Sequence, residues 1–303
     1  MPIDPGVAVG AMLPAREASW SASDVLLYHL ALGAGADPVS ARELRYAYET
    51  DLQVLPTFAV AAPTLRDTAP PSVSMPGVEV DPRKALHGGQ QIVVHRPLPP
   101  DAKAVAETRI ADVYDKGTAA VIVQETQLRE PKDPTPSTRR ARGSAPSPQG
   151  EPYVTARSSI FARGEGGFGG SRGPSDRRPP PDRAPDAELL TLTLPQQALW
   201  YRLCGDRNPL HADPGFASAV GFDRPILHGL CTYGMVCKAV VDGLLDGDAA
   251  RVTGYAVRFA GVVFPGETLR TRVWRDGSRF VLTTTVADRD DAPALADAVL
   301  TAN

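Results

Sequence analysis

From Gly229 to Leu245 the chain carries apolar side chains around most of a helical circumference. A helix apolar on nearly every side has to be buried, because no face is left for water. The residues C-terminal to it supply the cover. Residues 251–259, 268–275, 279–288 and 294–301 read as strands, from their β-branched content and near-alternation. A buried helix succeeded by such a run of strands predicts an α+β layout in which a sheet wraps around the helix. The same half opens with a strand over 189–194. A helix over 195–204 comes next, with Pro195 at its start and Gly205 just past its end. A short helix is expected over 214–220.

The first half carries a comparable but weaker pattern. A helix is expected over 22–32, ending in Gly33. Strand-like 44–48 and the run 54–60 come after it, then strands over 92–95, 103–114, 117–128 and 153–163. The halves share only coarse element order. At 303 residues the chain exceeds the usual ~100–200 of one domain, so two domains are the natural expectation.

Of the 30 prolines, many cluster at the boundaries. Residues 131–152 are rich in Pro, Ser and Arg without apolar periodicity, and read as a mobile surface excursion. Residues 164–185 form a second such stretch. The junction is placed there: 1–163 as the N-terminal half, 164–186 as linker, 187–303 as the C-terminal half. The basic residues of both stretches read as solvated linker charge in preference to phosphate contacts.

The formal net charge of −3 shows no basic excess of the kind nucleic acid demands. No apolar run approaches the ~18 residues of a membrane span, and Met1 to Pro5 lacks the pattern of a signal peptide. Cys204, Cys231 and Cys237 have no metal-type spacing and suggest reduced thiols in a cytoplasm. The final Thr301-Ala302-Asn303 is not a peroxisomal address. The glycine run 164–170 leads into more loop, not into a helix, so no dinucleotide loop is read there. No metal, nicotinamide or flavin cofactor is expected.

The segment 201–217, YRLCGDRNPLHADPGFA, carries the chemistry. Gly205 can end the preceding helix in a left-handed conformation. Pro209 prevents the helix from resuming and pushes Asn208 toward an extended backbone. Asp206, Asn208 and His211 therefore share one short, constrained loop. A carboxylate and an imidazole around one water suit acid–base chemistry, with an amide to hold the water. The backbone N–H groups at the start of the 229–245 helix lack internal partners and carry its positive end. At Gly229 a substrate oxygen can approach them closely. The plainer alternatives are an Asx-turn over 206–209 and a structural role for a lone histidine such as His211. His228 reads as a helix cap.

The segment resembles the hydratase 2 signature of the MaoC-like, R-specific enoyl-CoA hydratases: aromatic-x-x-small-Gly-Asp-x-Asn-Pro-aliphatic-His. Residues 221–231, Arg258-Phe259-Ala260 and 264–269 extend the likeness. The first half resembles the hydratase 2 unit of type 2 peroxisomal multifunctional enzymes. Its matching pieces are Tyr48-Glu49, 55–58, Leu86-His87-Gly88, 115–117 and 166–170. The resemblance covers nearly the whole chain except the insert around 131–152.

It implies a double hot dog, two repeats each with an antiparallel sheet around a helix, in which only the C-terminal half keeps the catalytic loop. It implies hydration of a trans-2-enoyl-CoA to an (R)-3-hydroxyacyl-CoA, with Asp206 and His211 as the acid–base pair. Asn208 then supports the water and the Gly229 N–H holds the thioester oxygen. His87, Gly88, Lys116 and Phe259 match positions that contact the CoA ester. Lys116 reads equally as a turn lysine, Phe259 equally as core, and Glu49 as a structural hydrogen-bonding residue. The resemblance also implies a homodimer, while the cytoplasmic setting is expected from the cysteines and the lack of a signal-peptide pattern. Two further readings stay open on the same fold: a non-catalytic acyl-CoA binding module and an acyl-CoA thioesterase.

Overall fold

The computed structural model describes residues 3–71, 74–81, 84–131, 150–175 and 177–303. Within them one antiparallel sheet gathers β1 (Arg16–Trp20), β2 (Ala85–Val94), β3 (Ala102–Asp115), β4 (Ala119–Arg129) and β5 (Val154–Arg163) from the first half. The second half adds β6 (Ala187–Leu192), β7 (Val252–Phe259), β8 (Thr268–Asp276), β9 (Arg279–Val286) and β10 (Ala292–Ala302). The spatial order is β1-β3-β4-β5-β2-β7-β10-β9-β8-β6. In each half the first strand lies at the outer edge and the second at the junction, with the last three between them. The halves thus share one topology, a closer correspondence than their sequences suggest.

The junction is the antiparallel pairing of β2 with β7, where Gly89 faces Arg258 and Ile92 faces Tyr255. Helices fall between the first and second strands of each half. After the short N-terminal α1 (Pro5–Ala8), these are α2 (Ala22–Ala31), α3 (Ala41–Ala47) and α4 (Phe58–Ala61), then α5 (Gln197–Tyr201), α6 (Pro214–Ala219) and α7 (Gly229–Leu244). The architecture is the expected α+β double hot dog.

The apolar helix behaves as its composition demands. On α7, residues 231–238, Val240 and Val241 are all buried. One apolar cluster joins α7 to Tyr255, Leu269, Leu282 and Leu300 of its own half and to Tyr28, Leu32 and Phe58 of the other. Gly234 permits that approach. A Cβ there would meet Leu32 at 2.8 Å and the Tyr28 hydroxyl at 2.9 Å.

A polar lock completes the contact. The Lys238 ammonium on α7 donates to Glu43 of α3 at 2.7 Å and to Asp242 at 2.8 Å. The Tyr46 hydroxyl donates to the other Asp242 oxygen at 2.9 Å. Nearby, buried His29 donates from Nδ1 to the Tyr46 carbonyl and accepts the Leu55 N–H on Nε2. Burial pushes its pKa down to about 3, so it is a neutral cross-link.

Several expectations need correction. Residues 44–48 are not a strand. Ser40 caps α3 by accepting the Glu43 N–H at 3.4 Å, and the Leu44/Tyr46/Tyr48 alternation misleads because only Tyr46 is buried. The run 54–60 is loop leading into α4, not a strand. Strand β2 begins at Ala85, seven residues before the predicted start, because Gly88-Gly89 hides a bulge inside it. Edge strand β1 gave too short a pattern to read. The helix expected over 195–204 is α5 running into a 3-10 turn at Arg202–Cys204.

Of the 131–152 excursion, 132–149 lie outside the described residues. The 164–185 stretch is not a free excursion. The Asp115 carboxylate accepts the N–H groups of Gly117, Gly167 and Gly169 at 2.7–2.9 Å. Further along, Arg178 donates its N–H to Asp297, and Asp186 donates to the Val273 carbonyl. A glycine run has no side chains to report such anchoring, which rests on backbone donors and one carboxylate. No helix among the described residues is long and apolar enough to cross a membrane.

Removing Lys238 strands two mostly buried carboxylates between the halves. The Lys238→Ala variant is expected to lose about 3 kcal/mol of unfolding free energy. Guanidinium denaturation followed by circular dichroism measures this.

Candidate active site

The 205–211 loop begins with a close approach that only glycine permits. Gly205 ends the 3-10 turn at φ 105°. A Cβ there would stand 1.8 Å from the Thr64 carbonyl oxygen of the first half. The loop is therefore pressed against the N-terminal half at its first residue. Arg207 adds a second tie by donating Nε to the Asp67 carbonyl at 3.2 Å.

Local hydrogen bonds set the rest of the loop. Asp206 Oδ1 accepts the Asn208 N–H at 3.1 Å. Asn208 is extended, at φ −57° and ψ 122°, as its place before Pro209 requires. Its Oδ1 accepts the Leu210 N–H at 3.1 Å and caps a 3-10 turn at Pro209–His211. The Asx-turn expected as the plain alternative is thus present, and it delivers His211 to the same place as Asp206.

His211 is buried, and its Nδ1 lies 2.9 Å from the Ile226 carbonyl. A carbonyl only accepts, so Nδ1 carries the proton and the Nε2 lone pair is free. Burial pulls the imidazole below its ordinary pKa, with the Asp206 charge opposing. His211 is accordingly neutral at neutral pH and has the tautomer of a base.

His228 does not cap α7. It occupies the N-cap position, but its side chain makes no capping bond. Instead its Nε2 donates to the Asp206 main-chain carbonyl at 3.3 Å. Its ring stacks on His211 with centroids 3.7 Å apart and 27° between planes.

One ligand-type atom from each of Asp206, His211 and His228 lies within 4.8 Å of the others. His211 and His228 each direct one ring nitrogen at a main-chain carbonyl.

Other predicted residues close around the loop. Gly229 opens α7, and its N–H has no partner among the described residues. The Phe259 ring would touch a Cβ on Gly229 at 3.0 Å. Phe259 also meets the His87 ring edge-on, centroids 4.8 Å apart. Burial lowers the His87 pKa while the Asp206 charge pulls it up, which places the carboxylate within electrostatic reach.

His87 and Gly88 sit at the β2 bulge beside the junction, so both halves line the site. At Gly88 a Cβ would meet Ser159 Oγ at 3.2 Å. Lys116 stands apart. It lies in the β3–β4 turn, donates to the Arg172 carbonyl and reaches over the Tyr114 ring at 5.5 Å. Glu49 is exposed and makes no hydrogen bond among the described residues, so its expected structural role is not supported. A cavity of about 640 Å³ opens beside Asp223, Arg224 and Phe264, and its lining includes neither Asp206 nor His211.

The profile described as the MaoC like domain matches residues 176–292, and that of the MFE-2 hydratase 2 N-terminal domain matches residues 19–136. The enoyl-CoA hydratase ChsH3 of Mycobacterium tuberculosis is 53% identical over 295 residues, covering 97% of each chain. The chain belongs to the MaoC-like hydratase 2 family. Mouse peroxisomal multifunctional enzyme type 2 is 37% identical over 94% of this hydratase 2 chain, which spans 37% of that longer protein. The crystal structure of a MaoC-like dehydratase from Phytophthora capsici superposes with a TM-score of 0.84 at 28% identity, covering 99% of this chain and 98% of that one.

The hydratase 2 signature identified the loop but not the ring that stacks on it. His228 lies 17 residues beyond His211 in sequence, on another segment. Besides the bonds of the two rings to the Ile226 and Asp206 carbonyls, the Ile226 and Leu227 N–H groups hold that segment alongside by donating to the Leu210 carbonyl at 3.3 Å and the Val263 carbonyl at 2.7 Å. The adjacency of His228 to Gly229 was the available signal. Substituting Gly205→Ala forces a side chain onto the Thr64 carbonyl at a left-handed φ. Urea denaturation is expected to show a loss of more than about 2 kcal/mol.

Proposed function

We propose that this hydratase 2 catalyses reversible addition of water across the double bond of a trans-2-enoyl-CoA, giving an (R)-3-hydroxyacyl-CoA. The observation that carries the reading is the 205–211 loop, which brings a carboxylate beside an imidazole whose Nε2 is unprotonated. Relatives named enoyl-CoA hydratase at 53% and 39% identity over most of the chain support the reaction class.

In the proposed mechanism one water sits between Asp206 and His211 Nε2, steadied by the Asn208 amide. One O–H bond of the water breaks as its oxygen bonds to C3. The acid–base pair takes that proton and returns a proton to C2. Charge that collects on the thioester oxygen meets the free Gly229 N–H at the positive end of α7. Residues 187–303 supply the chemistry, and 1–163 receive the acyl chain and CoA ester past His87, Gly88 and Phe259, with 164–186 connecting them. Lys116, held at its turn, is assigned to the CoA phosphates. The proposed setting is a cytoplasmic homodimer, and the three free, buried cysteines agree with a reducing compartment.

Loss of enoyl absorbance with crotonyl-CoA and longer enoyl-CoAs tests the reaction. Asp206→Ala and His211→Ala are each expected to lower kcat by about 10²–10⁴-fold while the chain stays folded. Because the folded His211 pKa is lowered, the base stays active as pH falls to the ordinary imidazole value of about 6.5, and kcat/KM should decline only below it. Full activity in either variant removes the mechanism. Release of free thiol would mark a thioesterase, and tight binding without turnover a binding module.

A further inference from the structure

His228 has no place in the hydration steps, yet its buried side chain touches His211, Tyr201 and the Asp206 main chain. Its ring is 1% exposed. It stacks on His211 at 3.7 Å and leans on Tyr201 with centroids 4.9 Å apart. Its Nε2 lies 3.3 Å from the Asp206 carbonyl, which only accepts, so Nε2 carries the proton. The remaining nitrogen, Nδ1, is buried and has no hydrogen-bond partner among the described residues. The next residue in sequence is Gly229, the assigned oxyanion donor.

The geometry points to His228 as a positioning residue: through its stack and its Nε2 bond it fixes the Asp206 main chain, the plane of His211 and the start of α7 as one unit. The inference rests on the hydration reading and deepens it. Each of its contacts has a consequence for a proton in flight. His211 can rotate about its single Nδ1–H bond to Ile226, and the stacked ring removes that freedom. When His211 takes the water proton it becomes a cation lying on a neutral aromatic face, which is an attractive arrangement. A second imidazolium there would repel it. Burial, with the nearby His211 and Arg202 adding to it, keeps His228 neutral. Among the described residues, the charged and titratable groups beside this pair are Asp206 on the loop, Arg202 at the C-terminal end of α5 and Tyr201 on α5, with His87 of β2 within the influence of the Asp206 charge.

The two contacts can be separated by substitution. His228→Phe keeps a stacking ring and loses the donor. His228→Gln keeps an amide N–H near the Nε2 position and loses the stack. His228→Ala loses both and admits water beside His211. Hydration of crotonyl-CoA is measured for each variant across pH, together with thermal unfolding, and His211→Ala runs alongside.

His228→Ala is expected to lower kcat by about 30-fold, with KM within about threefold, the signature of misaligned groups and not of lost binding. Its acidic limb in kcat/KM should move up toward the ordinary imidazole value of about 6.5, since burial is the largest influence holding His211 below it. The Gln and Phe variants should each recover part of the loss. An unchanged kcat and an unmoved limb, with only the melting temperature lowered, overturn the positioning role and leave the ring a packing element. Wild-type activity in His211→Ala would instead overturn the hydration mechanism beneath it.

Discussion

The site depends on one approach between backbones, that of Gly205 to the Thr64 carbonyl. With 1.8 Å between an imagined Cβ and that oxygen, any side chain would push the loop off the first half. The contact therefore sets both where the loop starts and how near it stands to the other repeat. Everything downstream is short-range. Asn208 and Pro209 make one turn, the turn presents His211, and the Ile226 carbonyl fixes its tautomer. A single steric constraint between the halves is converted by local hydrogen bonds into the placement of a carboxylate and an imidazole.

The double architecture explains why that placement holds. Strand pairing at β2–β7 makes one sheet of the two repeats, and α7 lies in a core built from both. The Lys238 lock binds α7 to α3, and His29 binds α2 to the segments C-terminal to it. Gly229 at the head of α7 is thus referenced to the same body as Gly205. A division of labour results. The C-terminal repeat carries the polar loop and Phe259 of β7, while the N-terminal repeat contributes His87 and Gly88 from the β2 bulge.

Much of this was legible from residues alone. The all-round apolar pattern of 229–245 required a buried helix, and the strands after it were found within a few residues. The 205–211 loop was readable because its demands are local: a left-handed glycine, a pre-proline asparagine, and two chemical groups five positions apart. What escaped reading was nonlocal or without side-chain signal. Helix α3 looked like a strand because Leu44 and Tyr48 are apolar yet exposed, and the Ser40–Glu43 cap was the better cue. Strand β2 began at a glycine pair that carries no periodicity. The anchoring of 166–170 on Asp115 uses backbone donors, which no composition reports. The stacking of His228 on His211 joins two segments through a strap whose course only the fold reveals.

If Asp206 and His211 hold one water over one face of the alkene, oxygen and hydrogen must reach the substrate from the same side. Hydration of a trans-2-enoyl-CoA in D₂O, with the configuration at C2 and C3 of the product read by NMR, measures this directly. Syn addition is expected, with a single deuteron at C2 on the face that receives the hydroxyl. Anti addition, or deuterium spread over both C2 positions, would contradict the one-water arrangement.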